Sequence, residues 1–154
     1  MAIQDNYTQN YGRGFIGQRM RTNAPWDADA VVIKSATLKI GDAFKFDTNG
    51  EAVVLGASDV NFEGVLMYSP ARINDVANKT IGVYDVGAKV EYMKEGYILG
   101  TASGALKKGD KLIWDVAHHA WKKASTAEPV RPVFAVEDAT DGAMLIVQIA
   151  SRVA

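Results

Sequence analysis

A chain of 154 residues with 17 basic and 18 acidic side chains and no cysteine leaves few kinds of chemistry open. One domain of this length buries roughly 68–70% of its unfolded surface, so it needs neither disulfide nor metal to fold, and the near-zero charge gives no electrostatic reason to bind nucleic acid or an anionic membrane. Thiol catalysis and Cys-ligated zinc are excluded, which leaves a protein surface as the favoured partner.

In chain order, residues 1–29 come first and differ from the rest. They are rich in Gln, Asn, Thr, Gly and Arg, without helical or strand periodicity. Residues 1–10 are too polar for a signal peptide, and no stretch of the chain approaches the ~18 apolar residues of a membrane span. The expectation is a soluble protein made in the cytoplasm. A segment of this kind cannot offset its backbone entropy by burial against itself. Tyr7, Tyr11, Arg13, Phe15, Arg19, Arg21 and Trp26 are nonetheless the residue types that anchor interfaces. Residues 1–29 are therefore expected to form an extended arm that orders on a partner, followed by one β-domain over residues 30–154. Gly12, Gly14 and Gly17 match Gly-x-Gly-x-x-Gly, but no strand precedes them and no βαβ unit follows, so the dinucleotide reading fails on context.

Strand signals dominate after the arm. Val31-Val32-Ile33 is β-branched, and Lys39–Asp47 (KIGDAFKFD) follows. Gly41-Asp42 supplies the positive-φ residue and the side-chain acceptor that a tight turn uses. Phe44 and Phe46 then lie two apart, the period of a half-buried strand. Asn49-Gly50 predicts a two-residue hairpin turn leading to Ala52–Leu55. Phe62–Leu66 is a further strand, and Ser69–Asn78 (SPARINDVAN) is the one helix candidate, with Ser69 placed as N-cap and Pro70 at the first helical position. Thr80–Val83 and Lys89–Met93 continue the strand pattern.

The phrase then recurs. Lys107–Asp115 (KKGDKLIWD) repeats Lys39–Asp47, with Gly109-Asp110 at the corner and Leu112 and Trp114 in place of the two phenylalanines. Ala120–Lys123 is the matching hairpin return, and Val133–Glu137 pairs with Phe62–Leu66 as the next equivalent strand. Met144–Val153 is a last long strand. The expected fold is all-β: two related β-modules in a small barrel, β-tulip-like or sandwich domain, with one short helix and the arm.

Gly104–Asp115, a variable hairpin, Pro132–Ala139 and the apolar closing strand together resemble the C-terminal half of the small capsid cement, or decoration, proteins of tailed bacteriophages. Phe62-Glu63-Gly64-Val65 is similar to the first equivalent strand of that family, so the resemblance covers about residues 35–150. It implies a non-enzymatic structural protein that binds the major capsid protein on the outer surface of the expanded head and stabilises it. It also implies assembly with itself, commonly as a trimer, and location in the virion without a cofactor.

Other motifs point elsewhere and are weaker. Val90-Glu91-Tyr92-Met93-Lys94 resembles the lysine hairpin of biotinyl carrier domains, which requires Lys94 and Gly96 at an exposed tip; a carrier or ligand-binding barrel is the alternative function. His118-His119 is the chain's entire histidine complement; neighbours on a strand face opposite ways, so a solvated hairpin turn between Trp114 and Trp121 is favoured over a metal site with Asp115. No serine sits in a Gly-x-Ser-x-Gly elbow. Asp42 and Asp110 are assigned to turns, and become a ligand site only if the two modules face one another.

Overall fold

The computed structural model describes residues 16–21, 23–68, 83–126 and 129–150. Its strands are β1 (Arg19–Met20), β2 (Asp27–Val32), β3 (Ala43–Phe46), β4 (Ala52–Val54), β5 (Gly64–Leu66), β6 (Lys89–Thr101), β7 (Leu112–Asp115), β8 (Ala120–Lys123), β9 (Val133–Ala135) and β10 (Met144–Ile149). The described residues contain no helix, so the fold is all-β; Ser69–Asn78, where a helix was expected, lies outside them.

Eight strands form one sheet in the order β4-β3-β5-β6-β10-β9, with β1 and β2 also on β6, while β7 and β8 pair as a separate hairpin. Among the described residues the expected barrel does not close, because β7 and β8 bond to each other and leave β4 and β9 as the ends of the path. The boundary drawn between residues 29 and 30 falls inside β2, whose six residues pair with β6 from Asp27↔Glu95 to Val32↔Lys89.

β6 corrects the lysine-hairpin reading. Its 13 residues run straight through Lys94 instead of reversing there. The register steps from Ala28↔Met93 to Asp27↔Glu95, which makes Lys94 the extra residue of a bulge, and Gly96 absorbs the distortion at φ 133°. A glycine after a polar pair signals a bulge as readily as a turn. The first hairpin also differs in detail from expectation. Asp47 Oδ1 accepts from both the Asn49 and Glu51 amides at 2.9 Å, widening the loop beyond two residues, with Gly50 left-handed at φ 78°.

The repeat extends far beyond nine residues. In one copy the Lys39 amide donates to Asp42 Oδ2 at 2.9 Å, and in the other the Lys107 amide donates to Asp110 Oδ2 at the same distance. Gly41 N–H donates to the Leu66 carbonyl and Gly109 N–H to the Ala135 carbonyl, both at 2.8 Å. Leu66 and Ala135 return bonds to Asp42 and Asp110 at 2.9 Å. Gly41 and Gly109 have φ of 82° and 90°, the left-handed corner expected of them. Leu66 thus answers to Ala135, so Gly64, not Phe62, is the counterpart of Val133. Farther out, Ile33 and Ala102 donate to Ala88 and Ala143, and Lys34 and Ser103 donate to Ala52 and Trp121. β2 with the first half of β6 frames one module, and the second half of β6 with β10 frames the other.

The core follows the same division. Val31, Ile33, Phe44, Ala52, Leu66, Tyr84, Val90 and Tyr92 cluster in the first module. Leu112, Trp114, Trp121, Ala135, Leu145 and Val147 belong to a larger cluster that also takes in Phe62, Met93 and Ile98. Phe44 and Leu112, matched by sequence, are both fully buried, while Trp114 is nearly so and Phe46 lies at the rim, 38% exposed.

Candidate partner-binding surface

The surface is built where the expected arm meets the sheet. β1 lies on the edge of β6, with Arg19↔Ile98 and Met20↔Tyr97 in register. Gly17 N–H donates to the Leu99 carbonyl at 2.8 Å, and Leu99 N–H donates to the Gln18 carbonyl at 3.0 Å. Gly17 also accepts from Tyr68 N–H at 2.9 Å. A side chain there would meet Ile40 Cγ2 at 2.6 Å, and φ is 82°, so this glycine is set by steric need. Gly12 and Gly14, its partners in the Gly-x-Gly-x-x-Gly match, lie outside the described residues.

Three of the expected anchors are in view. The Arg19 guanidinium stacks over the Trp26 ring at 4.0 Å, and the Arg21 guanidinium over the Tyr97 ring at 4.7 Å. Such contacts contribute about 0.5–1 kcal/mol each at exposed sites and favour these positions of the cations. Trp26 is 43% exposed, with its Cβ against Gly96, where any side chain would approach it to 3.0 Å. Tyr7, Tyr11, Arg13 and Phe15 lie outside the described residues. A shallow groove beside this edge is lined by Tyr97 of β6, Phe134 of β9 and Gln148 of β10, with Arg21 just past β1 and Lys108 in the turn before β7 adding the cationic side chains. Tyr97, Lys108 and Phe134 are missing from the sequence-derived set. Tyr97 is hidden by the hairpin reading of Lys94–Gly96, since only a continuous β6 carries it under Arg21.

Lys94 is held in place by its surroundings. Its ammonium lies 3.5 Å from Asp29 Oδ2, and its carbonyl accepts from Arg131 at 3.1 Å. The Ala30 amide and then Lys94 hold the Asp29 carboxyl below the usual carboxylate range.

The two histidines form a hairpin turn and reach apart. His118 Nδ1 sits 2.7 Å from Asp115 Oδ2 within its own hairpin. His119, at φ 49°, places Nδ1 2.8 Å from Asp42 Oδ2 in the other module. The modules therefore do meet at Asp42, but through one imidazole, and the described residues contain no group of three or more ligating side chains suited to a metal. Burial pushes the Asp42 carboxyl up, partly offset by the bonds from His119 and the Lys39 amide. For Asp115 burial also pushes upward, but bonds from His118 and Ser103 outweigh it and the net shift is down. The geometry supplies a hydrogen-bonded sheet edge with an aromatic and cationic rim.

No curated protein matches the chain. Among solved structures, the head fiber gp8.5 N base of bacteriophage phi29 aligns over 84% of this chain and 99% of that one, at a TM-score of 0.45 and 14% identity, too loosely to bear on function. The family model described as "Structural cement protein (E217 gp24/Pam3 gp6)" matches residues 3–150, a span that includes both modules and every strand from β1 to β10. The chain belongs to the structural cement proteins of bacteriophages.

Proposed function

We propose that this protein binds the outer surface of the expanded phage head, contacts the major capsid protein as a homo-oligomer, and stabilises the shell against the pressure of packaged DNA. The carrying observation is the family match over residues 3–150, which takes in the N-terminal segment together with both modules. A small protein that straddles neighbouring shell subunits adds buried area where the shell would part. Repetition then multiplies weak contacts, since linked sites reach avidities 10²–10⁴ above a single site. Trimeric assembly at local three-fold positions fits such a lattice, and synthesis in the host cytoplasm fits a part added to a finished shell. In this reading Tyr7, Tyr11, Arg13 and Phe15 join Arg19, Arg21 and Trp26 as the contact set, and the role is mechanical, not catalytic.

Sedimentation of the protein with undecorated heads, alongside light scattering, tests the proposal. Full-length protein should pellet with heads and scatter as an oligomer. A variant lacking residues 1–15 keeps β1 on β6 and should stay folded while losing head occupancy. A monomer that remains in the supernatant would refute the reading.

A further inference from the structure

Among the described residues, the repeat of the fold leaves one position filled in the second module and open in the first. Leu99 of β6 and Ala30 of β2 are counterparts: Leu99 lies opposite Ile146, and Ala30 lies opposite Glu91, in equivalent pairings. On its other side Leu99 exchanges two main-chain bonds with Gly17 and Gln18. Ala30 has no such neighbour among the described residues. Its amide turns back to the Asp29 side chain, donating to Oδ1 at 2.8 Å, and no described strand pairs with that edge of β2. Beside it runs a groove lined by Trp26, Ala28, Asp29, Ala30 and Glu91.

We infer that the outer edge of β2 is a seat for an extended segment of a partner protein, added antiparallel at Ala30 and carrying basic side chains two residues apart opposite Asp29 and Asp27. The inference deepens the structural reading above and rests on it for the partner being a protein of the shell. The chemistry of the occupant comes from the equivalent seat. Placed on β2 in the register it holds on β6, the sequence Gln18-Arg19-Met20-Arg21 sets Arg19 opposite Asp29 and Arg21 opposite Asp27. Opposite charges directly across strands are favourable, and Asp27, Asp29 and Glu91 outnumber the nearby Lys94 and Lys89. Main-chain bonds would supply affinity and the carboxylates would supply selection, as in other strand additions. The same acids oppose pairing of β2 with β2 of a second copy, which sets like charges close together. A second copy's β1 is also a poor occupant, because each chain has one such segment and it is already seated on β6.

The probe is a synthetic peptide of residues 16–21, mixed with the full-length protein and followed by hydrogen exchange at single amides. Protection at Ala30 is expected, with binding about fivefold weaker for Asp27→Asn/Asp29→Asn protein and absent for a peptide with both arginines changed to glutamate. Unchanged exchange at Ala30 at millimolar peptide would overturn the inference, and so would concentration-dependent protection of Ala30 in the protein alone, which would assign the edge to a second copy. On heads, Ala30→Pro removes the edge donor from a position where proline is tolerated, and should lower occupancy at least tenfold with an unchanged thermal midpoint. Asp27→Lys/Asp29→Lys, altered only at exposed side chains, guards against misfolding and should show the same loss. Wild-type occupancy by both variants overturns the seat. Failure of wild-type protein to bind heads refutes the capsid reading instead, and the peptide measurement still decides the edge.

Discussion

The two modules share a backbone and invert its filling. Where the first has Val31, Ile33, Ala52 and Tyr84, the second has Gly100, Ala102, Trp121 and Ala139, matched position for position by their main-chain bonds. One large residue at the hairpin replaces bulk that the first module distributes over three positions. Trp121 is fully buried, with Trp114 and Phe62 rings at 4.9 and 5.7 Å, and a Cβ on Gly100 would meet its Cδ1 at 2.9 Å. Duplicated backbones thus tolerate divergent cores when total volume is kept, which is the rule for repacked interiors generally. Close packing also came at a cost here, since the Trp121 indole N–H has no hydrogen-bond partner among the described residues.

The largest test of this inversion is Trp121→Ala, expected to lower stability by about 3–5 kcal/mol in urea denaturation. Gly100→Val alone should cost about 1–3 kcal/mol by overpacking. Combined with Trp121→Ala it recreates the Val31–Ala52 pair of the first module, so the two changes should be strongly non-additive, the valine recovering part of the loss. Simple additivity would mean that the two cores are not exchangeable.

Next in size is the comparison of corners. Alanine at Gly41 or Gly109 pays the left-handed backbone penalty of roughly 1–2 kcal/mol in both modules. At Gly109 the space is open, whereas at Gly41 the new Cβ would lie 2.6 Å from Ile16 Cγ2. Gly41→Ala should therefore be the more damaging, and Ile16→Ala should reduce the difference. Equal thermal midpoints for the two glycine variants would show that the segment before β1 does not press on the first corner.

The smallest effect concerns pH. Asp42 is raised above its usual value of 3.8, so the fold prefers its protonated form; the stability it contributes is present below 3.8 and is lost as pH rises through the raised value. Asp115 is lowered from the same 3.8, so its contribution is present above that value and is lost as pH falls through the depressed one. Asp42→Asn should gain on wild type as pH rises above 3.8, while Asp115→Asn should lose most near neutrality and progressively less as pH falls below 3.8. Parallel pH profiles for the two variants would remove the assigned difference in environment.

Local features were legible in the sequence because local physics sets them. Gly41 and Gly109 announce left-handed corners, and Phe44 and Leu112 announce the buried face of a strand, from spacing alone. Nonlocal ones were not. The place of Gly17 depends on Ile40 and Tyr68, and the loss of a side chain at Gly100 is intelligible only once Trp121 is beside it. His119 reaches Asp42 across 77 positions of chain, a contact that no spacing rule encodes. The bulge at Lys94 was masked by a true ambiguity, since Lys-Glu-Gly serves equally well to reverse a strand or to bend it. As for the surface, residue type singled out Arg19, Arg21 and Trp26, but only the register of β1 on β6 places Tyr97 beneath Arg21 and makes Ala30, which has no strand neighbour on its outer side among the described residues, the counterpart of Leu99.

β6 has a mechanical consequence. It is the last strand of one module and the first of the next, so no loop separates them there. At roughly 3.3 Å per residue its 13 residues span about 40 Å. Tension along that line passes from module to module through peptide bonds, while β2 and β10 grip the two halves antiparallel and share the load in shear, many hydrogen bonds at once. A load that enters through β2 or β10 is thereby limited by those paired hydrogen bonds, which yield together before the covalent strand they flank.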